Sequence, residues 1–485
     1  MTVICRRCAG LDIHRDKIAV CVRIRVNGKY EEHHEVFGSF TDDLKKLAQW
    51  LRERKVRRVA MESTGVYWIP VWNVLERYRY GFDLLLVNPA QVRALNGHKT
   101  DRIDCARIAE FLQHGRLAGS FIPPVAVRQA RALERRRVNL QQDRNRITNR
   151  IGKLLQTANF KLSSVLSNIV GVSGEKILRA IAAGERDGEK LASLAHYSLA
   201  GKQAAIIRSL EGRYDVHFRY LLTELLSDLD HLDRKIESTT AQLAMYMAPH
   251  HDLVLRLCTI PGIDRIVAWT ILSEIGSDVS AFPDAKHLAS WAALCPGSNE
   301  SAGKRKSGHT NKGNKYLRRA LVQAAWAAGR SKDTFLSALF LRITRRHGMK
   351  KAAVAVAHRM LVYIFHIIRD GGSYVEKGGD YFDRRHPERT ASRLLARLDA
   401  LEYDTSGIIR KVQKPEQPAE LKPGRGRPCK CAERGFPCPH PPRLFHASPT
   451  PRGPKDPPLH PPPEGQLCRK CNQWGIPCIH LKPKI

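Results

Sequence analysis

The sequence predicts an α/β domain of packed layers at the N-terminus, followed by a mainly helical remainder and a proline-rich tail. Three observations carry that division. Strand-like runs alternate with amphipathic stretches in residues 9–124, whereas residues 125–250 and 251–370 keep a helical period with few strand signals. A helical extension covers residues 371–410. Beyond it the composition changes, because 18 of the 27 prolines lie in residues 411–485, a segment that cannot bury a core of its own.

Each element of the first domain has a local cause. Residues 11–26 are apolar and β-branched, reach an Asn27-Gly28 turn, and resume toward Phe40, which reads as a hairpin. Thr41 then caps a helix that places Leu44, Leu47 and Leu51 on one face. Two short apolar strands follow at residues 56–61 and 83–87, separated by a helix over 68–79, and a last helix opens near Asp101. A strand meander followed by strand-helix alternation fits an RNase H-like layer fold.

Charge narrows the partner. Lysine and arginine total 81 against 47 acidic residues, a net +34 spread along the chain, which favours a polyanion. No apolar run approaches the roughly 20 residues that span a bilayer, and the start lacks the apolar segment of a secretory signal. No membrane is therefore expected, and the expected location is the bacterial cytoplasm, at the nucleoid. Half of the 12 cysteines crowd into the last 60 residues at metal-ligand spacing, so reduced thiols are expected in place of disulfides.

Acidic residues stand where a metal site at strand ends needs them. Asp12 lies in the first strand, Glu62 ends a buried apolar strand, and Asp101 and Asp104 share one face of a helix start at i, i+3 spacing. Hard oxygen donors of this kind bind Mg²⁺, which activates a nucleophile and steadies the leaving oxygen of a phosphodiester. Singly, each acid has an ordinary reading as a turn acceptor or a partner of a helix dipole. Glu62 resists it most, because a charge following Val59-Ala60-Met61 is costly without a purpose.

The phrases GLDIHRDKIAV, AMESTGVYW, VNPAQVRAL and HKTDRIDCARIA, in that order and spacing, resemble the DEDD transposases of the bridge-RNA-guided insertion-sequence family. The resemblance spans roughly residues 9–370. It implies a RuvC-like first domain whose four carboxylates fall on Asp12, Glu62, Asp101 and Asp104.

The stretch LCTIPGIDRIVAWTILSEIG reads as a helix-hairpin-helix, whose turn at Gly262 can offer backbone N–H groups to a phosphate; an ordinary helical hairpin is the plain alternative. Downstream, CPGSNESAGKRKSGHTNKGNKYLRRAL is a polar loop in which Lys304, Arg305, Lys306, Lys312 and Lys315 surround Ser301. Alone, it reads as a phosphate-contacting surface segment. The same family resemblance implies that Ser301 attacks DNA and forms a covalent phosphoserine, with Ser298 and Ser307 as neighbouring competitors.

Two further regions point to nucleic acid. Residues 128–153 hold nine basic residues and two acidic ones, among them Arg135, Arg136, Arg137 and Arg144, which predicts a basic helical or coiled-coil face toward nucleic acid. In the tail, Cys429, Cys431, Cys438 and His440 are echoed by Cys468, Cys471, Cys478 and His480, two sets suited to Zn²⁺. Arg425 and Arg427 sit in an AT-hook-like Gly-Arg-Gly-Arg-Pro.

The combined expectation is a Mg²⁺-dependent recombinase with a serine nucleophile. It acts on donor and target DNA with a structured guide RNA, as a homo-oligomer, dimer or tetramer. The alternatives are a RuvC-like structure-specific nuclease using water alone and a non-catalytic nucleic-acid-binding regulator.

Overall fold

The first strands arise where apolar residues repeat along extended backbone and turns interrupt them. In the computed structural model, which describes residues 3–63, 65–89, 100–297, 299–301, 304–307, 310 and 313–403, these are β1 (Arg7–Ile13), β2 (Lys17–Val26) and β3 (Lys29–Gly38). Asn27 and Gly28 take φ of 49° and 82°, the positive pair that a two-residue hairpin needs to match strand twist. A second turn at residues 14–16 splits the apolar run into β1 and β2, so the meander has three strands. Helix α1 (Thr41–Glu53) begins with Thr41 as its first residue and not its cap; Phe40 precedes it in extended conformation without a side-chain cap. Strand β4 (Arg58–Glu62), helix α2 (Trp68–Arg77) and strand β5 (Asp83–Val87) follow.

The sheet runs β3-β2-β1-β4-β5, antiparallel through β3, β2 and β1 and parallel through β1, β4 and β5. That mixed order is compatible with the RNase H-like layer expected. Helices α1 and α2 cover one face, where Leu11, Val20, Leu47, Met61 and Leu75 form a continuous apolar layer. Each such side chain contributes about 1.5–3 kcal/mol on burial. The other face receives α3 (Asp101–Gln113), capped by Thr100, whose hydroxyl accepts from the Ile103 N–H at 3.3 Å. Gly10 makes this packing possible. A Cβ there would lie 2.2 Å from the Cys105 carbonyl oxygen and 2.4 Å from the Ala109 nitrogen, so α3 rests directly on the backbone of β1.

Helices α4 (Val125–Thr157), α5 (Val172–Ala183) and α6 (Val216–Met247) form the middle of the chain. Ile147, Ile151 and Leu155 of α4 share a core with Phe218, Leu222 and Leu226 of α6, whereas Ala130 shares one with Leu243 and Met247. The two long helices are therefore antiparallel. Helices α7 (His251–Cys258), α8 (Arg265–Ile275) and α9 (Ala285–Trp291) lead to a hairpin of β6 (Asn299–Ser301) and β7 (Lys304–Ser307), and then to α10 (Lys315–Ala328), α11 (Phe335–His347) and α12 (Met349–Asp370). Against the expectation that no apolar run reaches spanning length, α12 is by length and composition the one helix among the described residues that could cross a membrane. It supplies nine buried residues to the second core, Val356, Leu361 and Phe365 among them, which accounts for its apolar character.

Within the helical extension, a helix spans Pro387–Asp399. The chain divides into two units, Met1–Arg397 and Leu398–Ile485. Arg425, Arg427 and both cysteine/histidine sets, Cys429, Cys431, Cys438, His440, Cys468, Cys471, Cys478 and His480, lie outside the described residues.

Candidate active site

Strand alternation decides which acids meet. Cys8, Gly10 and Asp12 of β1 and Ala60 and Glu62 of β4 point to the α3 face, because their odd-numbered neighbours Leu11 and Met61 belong to the opposite apolar layer. The parallel register sets Leu11 beside Met61, so the next step along both strands brings Asp12 beside Glu62. Both are buried, at 7% and 9% exposure. Asp101, in the first turn of α3, lies close to Asp12.

His14 bridges the group. Its Nε2 lies 3.1 Å from Asp12 Oδ2 and 3.3 Å from Asp101 Oδ1, while Lys17 Nζ lies 2.5 Å from Asp101 Oδ2. Burial pushes the Asp12 carboxyl up from its ordinary range, His14 draws it back, and the charges of Asp101 and Glu62 push it further up. The hydrogen bond from Lys17 holds Asp101 low. Asp104 is turned toward Arg107, 3.8 Å away. Neither His14 nor Lys17 stood out in the sequence, although Asp-x-His-x-x-Lys across a turn is a readable signal.

The donor set fits a hard divalent cation. Asp12, His14 and Asp101 present ligand atoms within 4.8 Å of one another, two of the three being carboxylate oxygens.

A second polar centre lies at the start of α10. Glu274 of α8 is fully buried and receives Arg135 Nε and Nη2 at 2.8 and 2.9 Å, Arg131 Nε at 3.2 Å, and Asn314 Nδ2 at 2.6 Å. Asn314 also caps α10, accepting from the Tyr316 and Leu317 N–H groups at 3.1 Å. One carboxylate thus joins α4, α8 and the start of α10. The loop expected around Ser301 forms a hairpin in which Ser301 pairs with Lys304 and Glu300 with Arg305, so Ser301 stands at the turn end of β6.

The residues expected to face nucleic acid fare differently. Arg135 is committed to Glu274, Arg137 is buried in a two-bond pair with Glu134 at 2.7 and 2.8 Å, and Arg144 pairs with Asp233 at 2.5 Å. Arg137 is thus enclosed, whereas Arg135 and Arg144 stay half-buried with their charge shared with acids on neighbouring helices. Arg136 is exposed and forms no ion pair among the described residues. Gly262, at φ 87°, faces α10, where a Cβ would lie 2.3 Å from the Ala324 carbonyl oxygen. The following helix start is capped by Asp264, which accepts from Val267 N–H at 2.8 Å, so a carboxylate already holds the place suggested for a phosphate. Lys315 is exposed beside Tyr316, and Lys312 lies outside the described residues. Lys304, Arg305 and Lys306 lie on β7.

Comparison with known proteins gives matches in two separate stretches of the chain. Residues 9–160 match a family model for DEDD transposases of the IS110 type, and residues 254–339 match one described as the transposase IS116/IS110/IS902 family. The chain is also 26% identical over 155 residues to an uncharacterized 43.6 kDa protein of insertion element IS110 from Streptomyces coelicolor. That match covers 32% of this chain and 38% of the relative.

Proposed function

Because the chain belongs to the IS110 family of DEDD transposases, we propose that it cuts and rejoins DNA of its own mobile element, guided by a structured RNA, in the bacterial cytoplasm. The observation that supports this reading best is the register that sets Asp12 beside Glu62 at the ends of two parallel strands, with Asp101 of α3 close to Asp12. Asp12, Glu62, Asp101 and Asp104 would hold Mg²⁺, which when bound supplies the positive charge that a phosphodiester needs as it reacts.

Ser301 supplies the nucleophile. Its Oγ bonds to phosphorus, the bond from phosphorus to one deoxyribose oxygen breaks, and the hydroxyl proton passes through solvent to that departing oxygen. A deoxyribose hydroxyl of a second strand then attacks the same phosphorus, frees Ser301 and returns a proton to it. No phosphodiester is lost to water. Lys304, Arg305, Lys306, Lys312 and Lys315 offset charge on the phosphate, and Arg136 contributes a more distant contact. Holding donor and target together calls for a homo-oligomer, a dimer or tetramer.

The deciding experiment is to trap DNA on the purified protein with Mg²⁺ and denature the mixture. DNA should stay attached to the wild type and be lost in Ser301→Ala and in Glu62→Ala. An adduct that persists in Ser301→Ala removes that serine from the mechanism. Cleavage with no adduct in any form of the protein points instead to a nuclease that uses water. Sequencing of co-purified RNA tests the guide, and absence of a discrete species refutes that part.

A further inference from the structure

A second cluster of ligand-type side chains lies on the α3 face of the sheet, one row from Asp12. Register places Cys21 of β2 opposite His34 of β3, and Arg23 opposite Glu32; on its other side Cys21 lies opposite Gly10, two residues from Asp12. From α3, Cys105 reaches the same place, its Sγ 3.9 Å from His34 Nδ1. We propose that Cys21, Cys105, His34 and Glu32 form a binding site for one zinc-class divalent cation, separate from the carboxylate cluster.

The donor chemistry differs from that of the carboxylate cluster. Two sulfurs, an imidazole and one carboxylate select a soft transition metal over Mg²⁺. With bonds of about 2.3 Å to sulfur and 2.0–2.2 Å to nitrogen and oxygen, neighbouring ligands of a tetrahedral zinc lie roughly 3.3–3.8 Å apart. Here His34 Nε2 is 3.5 Å from Glu32 Oε2, and the ligand atoms of Cys21, Glu32 and His34 all lie within 4.8 Å of one another. Turning the imidazole about its Cβ–Cγ bond and drawing the donors together by about 1 Å completes the set.

The plain alternative is that both cysteines are small buried hydrophobes, since each is almost fully enclosed beside Ala19 and Ala109. His34 argues against it, because core filling does not call for a half-buried imidazole against two thiols, and the exposed Glu32 reaches it from the sheet edge. Arg23 adds a second, independent observation. Its Nη1 lies 3.4 Å from Glu32 Oε1, while its Nε is buried without a hydrogen-bond partner among the described residues. On binding, the two thiols release their protons to water. Two thiolates and a carboxylate then outweigh the cation by one negative charge, beside an Arg23 guanidinium that also lies 3.7 Å from Glu110.

The consequence is structural. β3 is an edge strand paired only to β2, and α3 carries Asp101 and Asp104. A cation held by β2, β3 and α3 pins the helix to the sheet within a residue or two of the carboxylates.

Zinc per chain is measured on full-length protein purified without chelator, as wild type and as Cys21→Ala, Cys105→Ala and His34→Gln. The tail cysteines stay intact, so metal bound there is common to every form. Each variant should carry one equivalent less. Cobalt substituted for zinc should lose part of its thiolate charge-transfer absorption in both cysteine variants. His34→Gln alters a half-buried edge residue, so circular dichroism separates metal loss from unfolding. Unchanged zinc in all three variants overturns the proposal, as does a Cys21–Cys105 disulfide found by non-reducing mass spectrometry. Asp12→Asn should leave zinc content unchanged. A fall of one equivalent there would assign the cation to the carboxylates and refute the separate site.

Discussion

Glu274→Gln removes one charge from the interior and changes almost no volume. The carboxylate is fully buried and holds Arg135 through two bonds at 2.8 and 2.9 Å and Arg131 through one at 3.2 Å. Breaking one partner of a buried pair costs about 3–5 kcal/mol, because the other charge is left uncompensated. Arg135 keeps 37% side-chain exposure, so water recovers part of that loss and the lower end, about 3 kcal/mol, is expected. For a cooperative unit of 150–250 residues, 1 kcal/mol shifts Tm by about 2–4 °C, so the helical part should melt roughly 6–12 °C lower. Calorimetry on the full chain measures the shift, and a cycle with Arg135→Ala should give a coupling above about 1 kcal/mol. A Tm within about 1 °C of wild type, or strictly additive single effects, would refute the view that this carboxylate ties α4 to α8 and α10.

Gly10→Ala places a methyl group 2.2 Å from the Cys105 carbonyl and 2.4 Å from the Ala109 nitrogen. It should lift α3 from β1, cost about 1–3 kcal/mol, and separate Asp101 from Asp12; thermal melting and a Mg²⁺-dependent strand-transfer assay check the two effects. Between α2 and α4, the hydrogen-bonded Arg128 guanidinium holds Glu76 below its ordinary range. A depressed folded-state pKa contributes stability above the unfolded value, about 4.3, and loses it as pH falls through the folded value. Glu76→Gln should therefore be less stable than wild type by up to about 1 kcal/mol at pH 7. The gap should close on acidification, and a gap that widens toward acid pH contradicts the assignment.

Local chemistry made much of the first domain legible. Asn27-Gly28 announces its turn because few other pairs tolerate two positive φ values, and Glu62 was conspicuous as a charge at the end of an apolar strand. His14 and Lys17 were missed because an exposed turn between apolar strands looks the same whether or not its polar groups reach back to Asp12 and Asp101. The basic helix misled for a different reason. Counting charges along α4 cannot reveal that Glu274, 139 residues beyond Arg135 in sequence, takes its guanidinium, or that Asp233 takes Arg144. Glu274 itself lies in the otherwise apolar α8, and its burial became clear only once three helices surrounded it. Ser301 read as loop because three- and four-residue strands fall below the length at which periodicity is visible.

The 33-residue span of α4 has a metric consequence. At a rise of about 1.5 Å per residue it extends roughly 50 Å, with its two halves embedded in separate cores. Ordinary bending of a helix changes that distance little. It equals the length of about 15 base pairs of duplex at 3.4 Å each. The helix fixes the spacing of the two cores it joins, and removing two turns from its middle would bring the distal core closer by about 11 Å, the rise of about three base pairs.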